Sequence, residues 1–212
     1  MNLDPEPTIE VLDASSVPRD PISLFKQWFE DAISARPGDW FDPTAMTLAT
    51  ATRNGIPSAR IVLLKHYDGL GFIFYTNYAS RKGMDISENP HTALVFHWPM
   101  LKRQVRISGV TAKVSRDESI RYFHSRPRGS QLGATAADQS KVVADRYVLD
   151  DRLAELDAKF AGGPIPLPPD WGGYRVMPRE IEFWLNRPNR LHDRIRYTRQ
   201  DDDRWLIERL AP

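Results

Sequence analysis

Short β-favouring runs separated by turn signals recur along this chain, and they limit what it can fold into. TAMTLATAT and PSARIVLLK flank Arg53-Asn54-Gly55-Ile56. Asn-Gly between two such runs predicts a hairpin, because both residues tolerate the positive φ of tight turns. GFIFYTN follows Asp68-Gly69, and HTALVFHW and QVRISGVTAKVS form a second strand pair. GGYRVMP, EIEFWL, RLHDRIRYT and RWLIERL predict four more short strands. Helical patterns interrupt them. Asp20-Pro21 is an N-cap followed by proline at the first helical position, and Leu24, Phe25, Trp28, Phe29 and Ile33 then recur at helical spacing until Pro37-Gly38. SRKGMDISENP predicts a short helix capped by Ser80, Asp117 to Ser125 a second, and Asp150 to Phe160 a longer one stopped by Gly162-Gly163-Pro164. Many antiparallel strands with helices between them make an α+β fold, a barrel with peripheral helices.

The chain has 212 residues, with 41% hydrophobic and 27% charged residues. That is enough to bury a core without covalent staples. No linker divides it, so we expect a flexible tail over residues 1–15 and one domain over 16–212. The net charge of +1 gives no field that would gather nucleic acid, so any anion site must be local. There is no cysteine, which excludes disulfides, thiolate metal sites and cysteine nucleophiles. The five histidines, His66, His91, His97, His124 and His192, show no metal-ligand spacing, and no metal is expected. The acidic start MNLDPEPTIEVLD is unlike a signal peptide, and no apolar run reaches membrane-spanning length, so a cytoplasmic protein is expected. Dinucleotide, P-loop, HExxH and GxSxG motifs are all absent.

Three stretches carry candidate anion chemistry. YFHSRPRGSQ, residues 122–131, crowds arginine, serine and tyrosine donors that suit phosphate oxygens, or equally a solvated turn. Ser80-Arg81-Lys82 puts two cations at a helix N-terminus, where they cost stability unless an anion binds. In NRLHDRIRY, strict alternation would place Arg190, His192, Arg194 and Arg196 on one strand face. Such a row is expensive unless something negative or electron-rich faces it. Arg60 and Lys65, in ARIVLLKHYD, have opposite parity and should face apart unless the strand ends or bulges between them.

Taken together, RIVLLK, FYTNYASRK, RQVRISG, YFHSRPRGSQ, the Gln139-Ser140 pair, PPDWGGYRV, EFW and RLHDR resemble, in this order, the pyridoxamine 5′-phosphate oxidase family. The resemblance runs from about Asp20 to the terminal RLAP. It implies an FMN-binding split β-barrel and a homodimer with FMN at the subunit interface, without a metal. By resemblance, Arg60, Ile61, Val62, Leu63, Leu64 and Lys65 line the flavin, with Arg60 directed at its phosphate. Tyr75 and Thr76 touch it, Arg81 and Lys82 seat the phosphate, and Gln104, Gln139, Ser140, Trp184 and Arg194 add further contacts, some from the second subunit. Lys65, Tyr122, Arg126 and Ser130 would clamp a substrate phosphate, and Arg190, Leu191 and His192 would cover the substrate ring, with Arg190 and His192 as the catalytic pair. Arg128 and His124 receive no contact. The short N-terminal arm, the small residues of GATAADQS around Thr135, and the LNRPN loop depart from the family pattern.

The implied reaction is FMN-dependent oxidation of pyridoxamine or pyridoxine 5′-phosphate by O2 to pyridoxal 5′-phosphate, with H2O2. Two alternatives stay open: a related flavin oxidase for another substrate, such as a phenazine precursor, and a non-catalytic binder of flavin or a vitamin B6 phosphate.

Overall fold

A computed structural model describes residues 11–212. Among these, nine strands and five α helices alternate, as the α+β expectation requires. The strands are β1 (Ala45–Ala51), β2 (Pro57–Leu63), β3 (His66–Asp68), β4 (Gly71–Asn77), β5 (His91–Trp98), β6 (Arg103–Lys113), β7 (Trp171–Leu185), β8 (Asp193–Arg199) and β9 (Trp205–Arg209). The helices are α1 (Pro21–Ser34), α2 (Arg81–Glu88), α3 (Arg116–Ser125), α4 (Arg128–Ala136) and α5 (Tyr147–Lys159). The sheet order is β2-β1-β5-β6-β7-β4-β3, with β8 on β7 and β9 on β8. The described residues form two compact units, one of residues 11–43, 95–108 and 179–212, the other of residues 44–94 and 109–178. Strands β5, β6 and β7 each contribute residues to both.

The first unit is built around α1. Asp20 caps it by accepting from the N–H groups of Ile22 (3.1 Å) and Ser23 (3.0 Å). The helix buries Leu24, Phe25, Trp28 and Ala32, whereas Ile33, expected in the apolar stripe, is exposed. Phe25 packs edge-on to Phe96, Trp28 on Phe183, and Phe183 on Tyr197. The expected tail over residues 1–15 falls mostly outside the described residues. Leu12, however, is buried, its N–H donates to Asp193, and its carbonyl accepts from Arg209. No helix among the described residues is long and apolar enough to cross a membrane.

The second unit holds two hairpins. β1 and β2 pair antiparallel from Ala45↔Leu63 to Ala51↔Pro57, around a turn in which Gly55 has φ 81°, as the Asn-Gly signal predicts. β3 and β4 form the other, and β4 also pairs with Trp171–Val176 of β7. Ser80 caps α2 and Ser115 caps α3. A second core joins Phe123, Leu132, Ile165 and Trp171.

Three elements differ from the sequence expectation, the first being the short strand β3, which was not among the expected runs. GGYRVMP and EIEFWL are one strand, β7, running through Pro178. On the edge that β7 shares with β4 and β8, the β4 pairing ends at Val176 and the β8 pairing begins at Glu180, so Pro178 falls between the two. α4 was not expected at all. Gly129 and Gly133 lower its intrinsic propensity, and burial of Leu132 and Ala136 compensates.

Candidate active site

One pocket of about 670 Å³ gathers most of the predicted residues of the second unit. The end of β2 and the residues after it supply Ile61, Val62, Leu63 and Lys65, and β4 supplies Tyr75 and Thr76. α2 supplies Lys82, the α3–α4 corner Tyr122, Arg126 and Ser130, and the following loop Gln139. β2 ends at Leu63, which releases Lys65 from the alternation that would have turned it away. The Lys65 ammonium has no partner among the described residues.

The α2 end of this unit is a network of cations. Lys82 Nζ donates to Gln139 Oε1 (2.9 Å), Thr76 Oγ1 (3.2 Å) and Ser80 Oγ (3.3 Å). Burial, and then the charge of Arg60, hold its pKa below the usual lysine value. Arg60 Nη1 donates to Thr50 Oγ1 (2.8 Å) and to the Leu48 carbonyl (3.2 Å), and burial lowers its pKa as well. Arg81 Nε reaches Asp85 Oδ1 at 3.0 Å. Arg60, Leu64, Arg81 and Ser140 are not among the pocket-lining residues. Leu64 is buried in the core, and Ser140 lies in an exposed turn with φ 74°.

The α3–α4 corner is built on aromatic rings. Tyr75 stacks on Tyr122 with centroids 3.7 Å apart and on Trp171 at 5.6 Å. Arg126 lies 4.9 Å over the Trp171 ring. Its Nη1 is buried and has no hydrogen-bond partner, and its pKa is lowered by burial. The Tyr122 and Ser130 hydroxyls are also without protein partners among the described residues. Burial, with a smaller contribution from Glu118, pushes the Tyr75 phenol up to about 12. Gly172 and Gly173 allow these rings in, since a Cβ on Gly173 would meet the Tyr75 ring at 2.8 Å and one on Gly172 the Tyr78 hydroxyl at 2.2 Å. Arg116 fixes the proline-rich connector by donating to the carbonyls of Leu167, Pro168, Pro169 and Trp171.

Arg128 and His124 do have partners. Arg128 bonds Asp157 (3.2 Å) and the carbonyls of Phe160 (2.8 Å) and Gly163 (3.0 Å), so it ties α4 to the C-terminus of α5. His124 Nε2 lies 3.1 Å from the Ile165 carbonyl.

Gln104, Trp184, Arg190, Leu191, His192 and Arg194 belong to the other unit. His192 packs on Trp184 with centroids 4.5 Å apart. Its Nδ1 accepts from the Arg187 N–H (3.2 Å), which leaves Nε2 to carry the proton of the neutral ring. Arg190 and His192 precede β8 instead of forming its first residues. Asn189 and Arg190 take φ of 57° and 61°, so the expected alternation starts only at Asp193. Arg194 Nε meets Glu182 Oε1 at 2.8 Å, and Arg196 meets Glu208 at 2.7 Å and Glu180 at 3.8 Å. The negative partners that the cation row requires are the glutamates of the flanking strands.

Trp171 and Asp85 escaped the sequence reading. The Arg81–Asp85 spacing of four was the one available signal for the second, and nothing local marked the first. The donor set fits a phosphorylated flavin: cations at the α2 N-terminus, apolar Ile61 and Leu63, and an amide at Gln139. The orphaned Arg126 Nη1 fits a second anion. No group of three or more metal-ligating side chains occurs among the described residues.

Known proteins resemble this chain over nearly its whole length. Residues 38–160 match the family described as pyridoxamine 5′-phosphate oxidase, and residues 171–212 match the pyridoxine 5′-phosphate oxidase C-terminal dimerisation region. A protein of Acaryochloris marina named pyridoxine/pyridoxamine 5′-phosphate oxidase is 55% identical over 96% of this chain and 91% of its own. One of Ralstonia nicotianae with that name, numbered 1, is 54% identical over 95% and 93%. Among solved structures, PhzG from Burkholderia lata, bound to tetrahydrophenazine-1-carboxylic acid, superposes with TM-score 0.88 at 34% identity, covering 97% of this chain and all of that one. A pyridoxamine 5′-phosphate oxidase-related FMN-binding protein of Nostoc punctiforme shares the fold, with TM-score 0.71 at 17% identity over 94% of this chain and all of that one. The fold is the split β-barrel of these FMN-binding proteins, and this chain belongs to the pyridoxamine 5′-phosphate oxidase family.

Proposed function

We propose that this protein oxidises pyridoxamine 5′-phosphate and pyridoxine 5′-phosphate to pyridoxal 5′-phosphate with FMN as cofactor and O2 as oxidant, as a homodimer with FMN at the subunit interface. The observation that carries the reading is Arg126, a half-buried arginine whose Nη1 is buried without a partner, in the same pocket as Lys82. Leaving a buried donor unpaired costs about 1–3 kcal/mol, which a bound phosphate would recover. Two donor sets on one pocket suit a phosphorylated cofactor beside a phosphorylated substrate.

The amine reaction balances as substrate + O2 + H2O → aldehyde + NH3 + H2O2, and the alcohol reaction as substrate + O2 → aldehyde + H2O2. Bound FMN supplies the two-electron acceptor that no side chain provides. Arg126, Tyr122, Ser130 and Lys65 hold the substrate phosphate. Binding energy gained there, away from the reacting carbon, fixes the position of that carbon. Arg60, Arg81 and Lys82 hold the cofactor phosphate. Thr76, Gln104, Gln139, Ser140 and Trp184 complete the cofactor contacts. Lys65 and Arg194 would supply positive charge to a bound, reduced cofactor. Arg190 and Leu191 cover the substrate ring, and His192, protonated at Nε2 when neutral, moves a proton at that atom.

The test is an aerobic assay of the FMN-loaded protein with both B6 phosphates, following aldehyde and H2O2. Turnover of both, with unphosphorylated pyridoxine a far poorer substrate, is expected. The 34% identity to PhzG supports one rival reading, oxidation of a reduced phenazine carboxylic acid. Turnover of such a substrate in preference to the B6 phosphates would replace our reading. Binding of flavin and B6 phosphate without any turnover would make the protein a carrier.

A further inference from the structure

We propose that Asp85 is a positioning residue of the cofactor-phosphate seat, a buried carboxylate that strengthens capture of an anion by holding Arg60 and Arg81 in place. This rests on the reading of Arg60, Arg81 and Lys82 as that seat.

Asp85 is 2% exposed, and a carboxylate this deep must be paired and hydrogen-bonded to remain charged. Its two oxygens divide the work. Oδ1 takes Arg81 Nε at 3.0 Å, one helical turn away on α2. Oδ2 accepts from Thr50 Oγ1 at 2.7 Å and forms an ion pair with Arg60 Nη2 at 3.8 Å. Thr50, 3% exposed on β1, in turn accepts from Arg60 Nη1 at 2.8 Å. One carboxylate therefore orients Arg81 directly and helps to hold Arg60 through a buried hydroxyl, while Arg60 also donates to the Leu48 carbonyl at 3.2 Å and to Ser58 Oγ at 2.5 Å.

The consequence for Arg81 is geometric. With Nε committed to Asp85, Nη1 and Nη2 have no hydrogen-bond partner among the described residues, and the side chain is half exposed. Those two nitrogens present an edge suited to phosphate oxygens. Charge is matched as well. Three cations, Arg60, Arg81 and Lys82, less one carboxylate, Asp85, leave +2, the complement of a phosphate monoester dianion. Burial and mutual repulsion already lower the pKa values of Arg60 and Lys82, while the charge of Asp85 supports Arg60.

Simple Coulomb reasoning predicts the opposite behaviour. Removing a negative charge beside a phosphate should tighten FMN binding. A purely structural Asp85, joining α2 to β1, would affect all flavins equally. The experiment is fluorescence titration of the apo-protein with FMN and with riboflavin, in wild type, Asp85→Ala, Asp85→Asn, Arg81→Ala and the Asp85→Ala/Arg81→Ala double variant. Asp85→Ala should weaken FMN by about tenfold relative to riboflavin, the loss of one oriented charged hydrogen bond. Asp85→Asn, which keeps one of the two oxygen acceptors and puts an amide donor in place of the other, should weaken FMN relative to riboflavin by less than Asp85→Ala. In the Arg81→Ala background, Asp85→Ala should cost less than it does alone. Tighter FMN binding in either Asp85 variant, or equal losses for both flavins, overturns the proposal. Should Asp85→Ala fail to fold, the Asp85→Asn titration decides alone: a selective loss of FMN affinity supports the proposal, and unchanged or tighter FMN binding overturns it. If Arg81→Ala itself weakens FMN and riboflavin equally, the seat reading fails. If Arg81→Ala is selective for FMN and Asp85→Ala is not, the seat stands and the positioning role falls.

Discussion

Arg126 and Arg128 stand two positions apart in one motif and have opposite surroundings. Arg126 Nη1 is buried without a partner, whereas Arg128 satisfies three acceptors on and after α5. Arg126→Ala should spare FMN affinity and raise KM for pyridoxine 5′-phosphate by at least about tenfold, the worth of one charged hydrogen bond. Its effect on kcat/KM for unphosphorylated pyridoxine should be small. Arg128→Ala should instead lower stability by about 1 kcal/mol, since its pair is largely exposed, with little selectivity between the two substrates. Steady-state kinetics with both substrates, together with melting temperatures, separate the two. Equal behaviour of the two variants would remove Arg126 from the phosphate clamp.

At the level of elements, α4 shows propensity yielding to tertiary packing. Gly133 lies mid-helix, and a Cβ placed there meets nothing within 4 Å. It also lines the pocket. Gly133→Ala should therefore stabilise the protein by about 1 kcal/mol from helix propensity, while the added methyl occupies ligand space. A higher melting temperature with weaker ligand binding is expected, and a stabilised variant with unchanged binding would show that no ligand passes that side of α4. α1 and α2 behave differently, because their caps, Asp20 and Ser80, are written locally and form as the spacing predicts.

Two expectations concern the molecule as a whole. Residues 171–212 match a dimerisation region, so light scattering should give twice the monomer mass, and dilution that splits the dimer should release FMN. A monomer retaining FMN would end the interface reading. The second concerns alkaline pH. Burial pushes the phenols of Tyr75 and Tyr174 up to about 12, from the ordinary value of 10.0. A raised folded-state pKa favours the protonated form, so this contribution is present in full below pH 10 and is lost as pH rises from 10 towards about 12. Denaturant titrations at pH 8 to 11 should show stability falling only above pH 10, alongside delayed tyrosinate absorbance. Full tyrosine ionisation at pH 10.5 in the folded protein would contradict it.

The sequence by itself determined the local signals: the Asn54-Gly55 turn, the Asp20 and Ser80 caps, and the β1 and β2 strands on either side of that turn. Each depends on backbone geometry or charge within a few residues, which is why it can be read from a string. Only the tertiary structure decided that β7 passes through Pro178, that GSQLGATA is helical, that Arg126 is orphaned while Arg128 is satisfied, and that Asp85 reaches Arg60 through Thr50. Those outcomes depend on which distant groups a side chain meets once buried. Thr50 and Asp85 are 35 residues apart in sequence and 2.7 Å apart in the fold, and the cost of burying a carboxylate, unlike a turn propensity, is set entirely by what lies across that gap.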